Sequence, residues 1–368
     1  MVQLLLGRMV GRNLQRLAGW AVAVLLWTAP AWASHPPKEK PSLTTGPELP
    51  LLGGRKLSYE RSFSSEREVK PKRGFWNRVV DVVAGEPEFR AMVRPYSVVT
   101  DSRGRIIVTD PGAAGVHIFD FQRQKYQFLS RRDKSKDAMI APQCVAVDAQ
   151  DNIYVTDSQS GGIFVFDAKG KFQGVMGTLR KGEGFFKRPT GIAVDSAAQK
   201  VYITDTLRDE IYVLDMQGNV LQRIGKRGQA EGEFNLPTEL RLDGQDLLVV
   251  DAMNFRVQVL DRSGAFQYAI GTVGDSTGGM FRPKGVAVDS EGDLYVVDGL
   301  WGVVQVFNRQ GQLLYYFGNR GSGAGQFQLP TGLFIDRDDR IYVADSYNHR
   351  VQVFRYYGLS GPARDRAQ

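Results

Sequence analysis

The chain has 368 residues, of which 42% are hydrophobic and 24% are charged, and its formal net charge is +7. The hydrophobic fraction is ample for a packed core. Cys144 is the only cysteine, which excludes an intramolecular disulfide, and a charge this mildly basic does not by itself indicate an acidic partner.

The first 33 residues have the pattern of a secretory signal peptide. Arg8, Arg12 and Arg16 provide a positive segment, and Leu17–Trp27 is an apolar run of about eleven residues. Ala31–Ala33 is a small-x-small cleavage motif. A membrane anchor is the alternative, but a run that crosses a bilayer has roughly 20 residues. We therefore predict that residues 1–33 are removed, that no transmembrane segment remains, and that the protein is exported to the periplasm or the exterior of a bacterial cell.

Residues 34–75 are rich in Pro, Lys, Glu, Ser and Gly. This composition is typical of a flexible linker or arm. The middle of the segment, Leu57–Phe63, alternates apolar and polar residues and is a candidate for an extra strand against the folded domain. A second strand-like segment, Arg78–Gly85, lies ahead of the first repeat.

The rest of the chain is a sixfold repeat marked by prolines 46 to 48 residues apart. Each proline is followed by an apolar run that ends in an aspartate, and the next apolar run ends in a second aspartate. The prolines are Pro95, Pro142, Pro189, Pro237, Pro283 and Pro330. The first aspartates are Asp101, Asp148, Asp195, Asp243, Asp289 and Asp336, and the second are Asp110, Asp157, Asp205, Asp251, Asp298 and Asp345. A period in the forties with strand-like content predicts propeller blades.

The third copy shows the four strands of one unit. Thr190–Asp195, Val201–Asp205, Ile211–Asp215 and Val220–Gly225 are short runs rich in β-branched and aromatic residues. Met216–Asn219 is a glycine-containing hairpin turn. Each copy therefore predicts one blade of four antiparallel strands.

Six such copies predict an all-β domain, a six-bladed β-propeller over residues 76–358, followed by a polar tail at residues 359–368. The ring closes most simply if Arg78–Gly85 is an N-terminal strand on the outside of the last blade, because this segment matches the fourth-strand pattern and has no first three strands of its own. Such closure removes a free sheet edge. Tyr356 and Tyr357 either compete for that place or extend the strand before it.

Two of the repeats resemble a known signature. Asp251–Leu260 and Asp345–Phe354 resemble the NHL-repeat signature D-x-x-N-x-R-[IV]-Q-V-F, and Gly191–Asp195 and Gly285–Asp289 match its first strand. The resemblance covers about residues 76–358, and the stretch from 59 to 94 looks like the leading segment of secreted bacterial six-bladed propellers. It implies the same six-bladed fold. The other four blades depart from the Asn-x-Arg part of the signature, so the resemblance determines the residues of their loops less closely than it determines the fold.

The repeated aspartates suggest catalysis at first sight. A residue that recurs at strand ends in all six blades is better explained by hydrogen bonds to the amides of adjacent turns. We predict a structural role for them.

The residues that open the innermost strands face the predicted central channel. The first two positions after each proline are Tyr96-Ser97, Gln143-Cys144, Thr190-Gly191, Thr238-Glu239, Lys284-Gly285 and Thr331-Gly332. Four of the six second positions are Ser or Gly, so Glu239 stands out. Glu239 and Lys284 of the next blade form either part of a functional site or a structural ion pair that fills the channel. We favour the structural ion pair. The channel candidates are Tyr96, Cys144, Glu239 and Lys284.

The loops between second and third strands share a face with the crossings between blades, where propellers generally bind ligands. Apolar and aromatic side chains are interleaved there with arginine, a combination typical of binding hot spots. The candidate ligand-binding residues are Met253, Phe255, Arg256, Leu300, Trp301, Tyr347 and Arg350. Some of the arginines on this face are expected to pack between blades instead.

The leading hypothesis is a non-catalytic binding or scaffold protein of the bacterial cell envelope. It is expected to be a monomeric propeller that docks a protein, an acidic glycan or an envelope polymer on this face, without a cofactor or metal. Some cytoplasmic relatives bind RNA, but the signal peptide places this protein elsewhere, so nucleic acid is not an expected partner.

The rival hypothesis is an enzyme. The resemblance extends to a zinc lyase and to calcium-dependent lactonases, so the alternative is a metal-assisted lactonase- or lyase-like enzyme with one divalent ion, such as calcium, at the central channel. The nearest set of calcium ligands is Glu239, Asn254 and Asp251, whereas calcium takes six or more oxygens. The three histidines are not spaced to converge on zinc. Cys144 has no histidine of the inner ring to act as its base.

Overall fold

The computed structural model of this protein describes residues 46–70, 89–131, 138–177, 184–274 and 278–358. Two strands precede the repeats, β1 (Glu48–Pro50) and β2 (Lys56–Phe63). Each repeat then forms one blade of antiparallel strands.

The first three blades have four strands each, and in every one the chain runs from the innermost strand to the outermost. Blade 1 contains β3 (Val98–Thr100), β4 (Ile106–Asp110), β5 (Gly115–Asp120) and β6 (Lys125–Leu129). Blade 2 contains β7 (Pro142–Val147), β8 (Ile153–Asp157), β9 (Gly162–Phe166) and β10 (Phe172–Met176). Blade 3 contains β11 (Pro189–Asp195), β12 (Lys200–Asp205), β13 (Glu210–Asp215) and β14 (Val220–Ile224).

The remaining blades follow the same plan. Blade 4 contains β15 (Pro237–Asp243), β16 (Asp246–Asp251), β17 (Arg256–Asp261) and β18 (Phe266–Ile270). A short parallel pair, β19 (Thr272–Val273) and β20 (Gly279–Met280), lies in the crossing to blade 5. Blade 5 contains β21 (Pro283–Val288), β22 (Leu294–Asp298), β23 (Val303–Phe307) and β24 (Leu313–Phe317). Blade 6 contains β25 (Pro330–Ile335), β26 (Arg340–Asp345) and β27 (Arg350–Tyr357).

Helical structure in the described ranges is limited to single turns of 3-10 helix. They are Leu52–Gly54, Glu66–Glu68, Ala252–Asn254 and Ser346–Asn348. None of the described residues belongs to a helix with the length and hydrophobicity to span a bilayer.

The prediction of an all-β, six-bladed propeller is confirmed. In blade 3, β11, β12 and β13 each begin one residue before the predicted start. The last strand ends one residue early because Gly225 takes a φ of 81°, which takes it out of the strand. Gly218 provides the positive φ of 90° that the hairpin turn needs.

The ring is closed by β2, which pairs antiparallel with the outer side of β27. Blade 6 thus takes its fourth strand from ahead of the repeats and a fifth from β1. An N-terminal strand closes the ring as expected, although it is Lys56–Phe63; the segment favoured for this place, Arg78–Gly85, lies outside the described residues. Tyr356 and Tyr357 extend β27.

The propeller therefore includes part of the segment predicted as a flexible arm, and it begins ahead of the predicted boundary at residue 76. The alternating pattern of β2 is the reason. Leu57 and Phe63 are both 2% exposed, and the Phe63 ring packs edge-on against Phe119 of blade 1 with 4.9 Å between ring centroids. Burying these side chains offsets the entropy of ordering the strand.

Six apolar clusters in the described ranges hold the blades together, one at each blade interface. Between blades 1 and 2, for example, Ile107 and Val116 pack against Val145 and Phe164. Both faces of a blade are covered by its neighbours, so β4 is buried at every position. This is why the second strand of each repeat is a continuous apolar run rather than an alternating one.

The second aspartate of each repeat is a buried hydrogen-bond acceptor that we call the aspartate latch. It receives backbone N–H groups from the segment ahead of the proline, and so ties the end of the second strand to the beginning of the first. In blade 1, Asp110 accepts from Val93 at 2.6 Å and from Arg94 at 2.9 Å. The same contact recurs in the other five blades. The six latch side chains are at most 1% exposed.

The latch also shapes the loop between the second and third strands. Asp251 accepts from the side chains of Asn254 at 2.8 Å, Arg256 at 2.9 Å and Gln258 at 3.0 Å. Blade 6 repeats these contacts around Asp345. The last residue of the loop is left-handed in every blade, at Ala114, Gly161, Asp209, Phe255, Gly302 and His349. The structural role predicted for the aspartates is therefore confirmed for this set.

Replacing Asp251 by alanine is expected to destabilise the protein by about 3–5 kcal/mol, because it leaves the Arg256 guanidinium and the Asn254 and Gln258 amides without their buried acceptor. Chemical denaturation monitored by far-UV circular dichroism measures this loss.

Asp261→Ala is the matched control, since Asp261 belongs to the same blade and accepts from the amides of an exposed turn. The loss of folding stability in Asp261→Ala should be clearly smaller than that in Asp251→Ala. Equal losses in the two variants would contradict the view that the latch matters more than an ordinary turn aspartate.

Candidate binding site

The propeller has two faces with different structures. The loop face carries the loops between second and third strands and the crossings between blades, and the innermost strands begin there. The turn face, on the opposite side, carries the turns that join first to second and third to fourth strands. The central channel runs between the two faces and is lined by the innermost strands.

Glu239 forms an ion pair within its own strand. One carboxylate oxygen lies 2.8 Å from the Arg241 guanidinium, two residues further along β15. The pairing considered from the sequence was with Lys284, but in the described ranges the ion-pair partner of Glu239 is Arg241. Burial raises the pKa of Glu239 to about 7, although the Arg241 guanidinium acts in the opposite direction.

Arg241 spans the channel. Its guanidinium reaches from blade 4 to blade 6, where it donates to the carbonyl oxygen of Leu333 at 3.1 Å and lies 5.6 Å from the centre of the Phe334 ring. On the turn face Arg241 and Phe334 line a cavity of about 580 Å³. The Arg241 side chain therefore joins the innermost strands of blades 4 and 6 beside this cavity, and the Glu239 carboxylate is bound to it.

Cys144 is buried and Tyr96 is half-buried, and the Glu239 carboxylate acts on both groups. Cys144 is 2% exposed. Burial, reinforced by the Glu239 carboxylate, raises the pKa of the Cys144 thiol well above its usual value. Burial likewise raises the pKa of the Tyr96 hydroxyl. Both groups stay protonated near neutral pH, so Cys144 is not an activated nucleophile.

Lys284 lies at the loop-face end of the channel, beside Arg188 and Arg282. Burial, together with these two guanidinium groups, lowers the pKa of Lys284 to about 8. Its environment is therefore positive on several sides.

Three of the predicted ligand-binding residues project from the loop face. Met253 is 49%, Trp301 42% and Tyr347 50% exposed. Phe255 is half-buried and packs at 6.3 Å from the Phe281 ring. Leu300 is also half-buried, and its carbonyl oxygen accepts from the Arg320 guanidinium at 2.8 Å.

The exposed apolar side chains form a ring with at least one member in each blade. We call it the apolar ring, and it consists of Val93, Ile140, Leu207, Met253, Phe281, Trp301 and Tyr347, which are 42% to 51% exposed. The candidate set predicted from the sequence lacks four of these residues, Val93, Ile140, Leu207 and Phe281. Val93, Ile140 and Phe281 share a sequence signal, since each lies two residues ahead of a proline.

Arg256 and Arg350, also predicted to bind ligand, hold neighbouring segments together. Arg256 pairs with Asp251 at 2.9 Å and donates to the carbonyl oxygens of Ala230 and Glu233 at 2.8 and 3.0 Å. Arg350 makes the corresponding contacts in blade 6. Their guanidinium groups are thus committed to the crossing, and the ligand-binding role remains a prediction without support from these contacts.

The residues that were considered as metal ligands are engaged in other contacts or lie apart from one another. In the described part of the chain, no three His, Cys, Asp or Glu side chains cluster as metal ligands would. Asp251 and Asn254 are engaged in the latch. His117 is buried in blade 1, with Nε2 at 3.2 Å from the Asp110 carboxylate and Nδ1 at 2.8 Å from the Tyr126 hydroxyl. His349 lies in a loop with Nδ1 against the Val93 carbonyl oxygen.

Comparison with protein families agrees with the fold. Residues 327–354 match the NHL repeat, and residues 141–206 and 193–253 match a family described as a 6-bladed beta-propeller. The protein is therefore a six-bladed β-propeller that carries the NHL repeat. No curated protein matches the sequence significantly.

Several solved structures share this architecture. A virginiamycin B lyase from Staphylococcus aureus is 12% identical with a TM-score of 0.53, covering 82% of this chain and 99% of that one. An auxiliary nutrient binding protein from Bacteroides thetaiotaomicron is 11% identical with a TM-score of 0.57, covering 73% and 70%. Hydrazine synthase of Kuenenia stuttgartiensis is 13% identical with a TM-score of 0.51, covering 74% and 97%. At these identities the likeness shows the fold alone.

The buried Glu239 makes stability depend on pH. Its folded-state pKa is raised from 4.5 to about 7, so the protein binds this proton more tightly than the unfolded chain does. The resulting stabilisation is complete below pH 4.5 and is lost as the pH rises through 7. Glu239→Gln should therefore gain about 2–3 kcal/mol relative to wild type between pH 5 and pH 8. Urea denaturation of both proteins at the two pH values measures the change, and a difference that is independent of pH would contradict it.

The buried Cys144 should resist thiol reagents. Because it is the only cysteine, the reaction with Ellman's reagent at pH 8 reports on this thiol alone. We expect the native protein to react at least roughly 100-fold more slowly than the protein in 6 M guanidinium chloride. Comparable rates would show that the thiol is accessible through the channel.

Proposed function

We propose that this protein is a non-catalytic binding or scaffold protein that docks a protein or polymer ligand on its loop face. The observation that carries the proposal is the apolar ring. Large apolar side chains that are exposed together on one face of a protein are a common mark of a binding surface. In this propeller such side chains occur at related positions in all six blades and face the same side.

The ring has the makeup of a binding surface. Trp301 and Tyr347 are large, partly exposed side chains of the types that dominate interface energetics. Their backbones are fixed: the Trp301 amide donates to the Asp298 latch at 3.1 Å, and the Tyr347 amide donates to the Gln328 carbonyl oxygen at 3.1 Å. Side chains on a rigid support lose less entropy when a ligand binds.

Propellers of this architecture serve both binding and catalysis. The similarity to the nutrient binding protein of Bacteroides thetaiotaomicron supports a binding function by analogy. The similarity to the lyase of Staphylococcus aureus supports the catalytic alternative in the same way. The chemistry of the channel favours binding. Glu239 is paired with Arg241, and the oxygens of Asp251 are already used by Asn254, Arg256 and Gln258.

The proposed location is the bacterial cell envelope, in the periplasm or outside the cell. The support is the sequence pattern of residues 1–33, with its arginines, apolar run and small-x-small motif. N-terminal sequencing of the protein recovered from culture medium and periplasm tests this, and a chain that retains residue 1 would overturn it.

The binding function is tested with the triple variant Met253→Ser, Trp301→Ser and Tyr347→Ser. Ligands captured from an envelope extract of the native host are compared for wild type and variant, and the affinity of each purified ligand is then measured. We expect the variant to bind at least about 100-fold more weakly, because each truncated anchor costs about 1–2 kcal/mol.

The matched control removes equally exposed apolar side chains from the outer strands, with Leu221→Ser, Leu314→Ser and Tyr316→Ser. This control should bind like wild type. Trp301 gives a further signal, since it and Trp76 are the two tryptophans after residue 33, and the tryptophan fluorescence should change when ligand binds. Equal affinity of all three proteins would overturn the proposal.

A further inference from the structure

The loop-face mouth of the channel is lined by positive charge. The residue ahead of each proline and the residue after it surround this opening. Among these twelve positions four are basic and none is acidic, the basic ones being Arg94, Arg188, Arg282 and Lys284. The three arginines occupy the same position two blades apart. The latches of their blades accept their backbone N–H groups at 2.9, 2.9 and 3.2 Å, so the backbone that carries each arginine is fixed.

Lys284 lacks an acidic partner. Within the described ranges its ammonium group forms no hydrogen bond or ion pair, and the charged or titratable groups that act on it are Arg282, Arg188 and Cys144. Its surroundings are also crowded, since a Cβ at Gly299 would lie 3.2 Å from the Lys284 side chain. A partly buried cation among other cations is unfavourable in the free protein. An anion bound beside it would relieve this cost.

Tyr96 adds a neutral donor to the same opening. Tyr96 follows Pro95 at the start of blade 1, and the Arg188 and Arg282 guanidinium groups of blades 3 and 5 both act to lower the pKa of its hydroxyl. The hydroxyl stays protonated and can donate to an acceptor. The nearest carboxylate, Glu239, lies one position deeper in its strand and is paired with Arg241 at 2.8 Å. The positive charge of the mouth is therefore not neutralised from within.

We propose that the channel mouth is an oxyanion-binding site, in which Lys284, Arg188 and Arg282 hold a carboxylate or phosphate group of the ligand and Tyr96 donates a hydrogen bond to it. Guanidinium groups present paired N–H donors that match the oxygens of both groups. The inference rests on the proposed function and deepens it: the apolar ring contacts the body of the ligand, and the mouth receives its acidic group.

Isothermal titration calorimetry with inorganic phosphate and with acetate tests the site, at pH 7.5 and an ionic strength held constant with sodium chloride. We expect both probes to bind wild type, and Lys284→Met and Arg282→Gln each to weaken binding by about tenfold to a hundredfold. The stronger probe identifies which oxyanion the site prefers. Lys284→Met removes a partly buried charge that has no acidic partner, so the variant should fold at least as stably as wild type, and circular dichroism checks this.

Arg227→Gln is the matched control. Arg227 is exposed on a crossing of the same face, and its loss changes the net charge equally. It should alter the affinity by less than about twofold, because a screened surface charge contributes little. An equal loss in Arg227→Gln and Arg282→Gln would show a general charge effect and overturn the site, as would equal affinity of wild type and Lys284→Met.

A second readout follows the proton on Lys284. Titrations at pH 8.5 in two buffers of different ionisation enthalpy measure proton uptake on phosphate binding. Lys284 is largely neutral at this pH, so a bound anion that raises its pKa draws in a proton. Tyr96, Cys144 and Glu239 are present in both proteins, so the uptake that Lys284→Met loses belongs to Lys284. Uptake that is unchanged in this variant would count against the assignment.

The two proposals fail separately. The triple variant of the apolar ring should bind phosphate and acetate like wild type while losing its macromolecular ligand. If that variant keeps the ligand while phosphate binding depends on Lys284, the proposed function is wrong and the oxyanion site stands. If the ring is needed for the ligand while Lys284→Met changes nothing, the oxyanion site is wrong.

Discussion

The buried latch aspartates are the interaction on which the rest of the structure depends. Each blade must bring the crossing from the previous blade to the start of its innermost strand, at a place where backbone N–H groups would otherwise be buried without acceptors. A carboxylate at the end of the second strand satisfies those N–H groups and the adjacent loop together. Burying six carboxylates is costly, and the multiple donors around each of them offset the cost.

The latch explains how a repeat that serves folding also builds a surface. The residues that donate backbone N–H groups to a latch aspartate have a fixed backbone, whereas their side chains take no part in the latch. Two residues ahead of the proline, Val93, Ile140 and Phe281 are exposed and apolar. One residue ahead, Arg94, Arg188 and Arg282 are exposed and basic. The repeat thus places apolar contacts around the rim and positive charge at the centre, and neither choice of side chain disturbs the latch.

The channel contains two ionisable groups whose pKa values burial brings close to neutral pH. Burial raises the pKa of Glu239 to about 7 and lowers the pKa of Lys284 to about 8. Arg241 partly compensates the charge of Glu239 and donates a hydrogen bond to the Leu333 carbonyl oxygen of blade 6. Lys284 has no such compensation from within the described ranges. This asymmetry supports the proposed anion site at the loop-face mouth, whereas the deeper carboxylate of Glu239 already has a partner in Arg241.

The sequence by itself determined the number of blades, their strands and the structural role of the latch, because each depends on local patterns that recur six times. It also identified Met253, Trp301 and Tyr347 as exposed candidates. Only the tertiary structure decided which distant segments meet. It placed Lys56–Phe63 beside β27, gave Glu239 the partner Arg241 rather than Lys284, and showed that Arg256 and Arg350 hold the crossings. Pairing across blades depends on side-chain reach and ring closure, which no single repeat encodes.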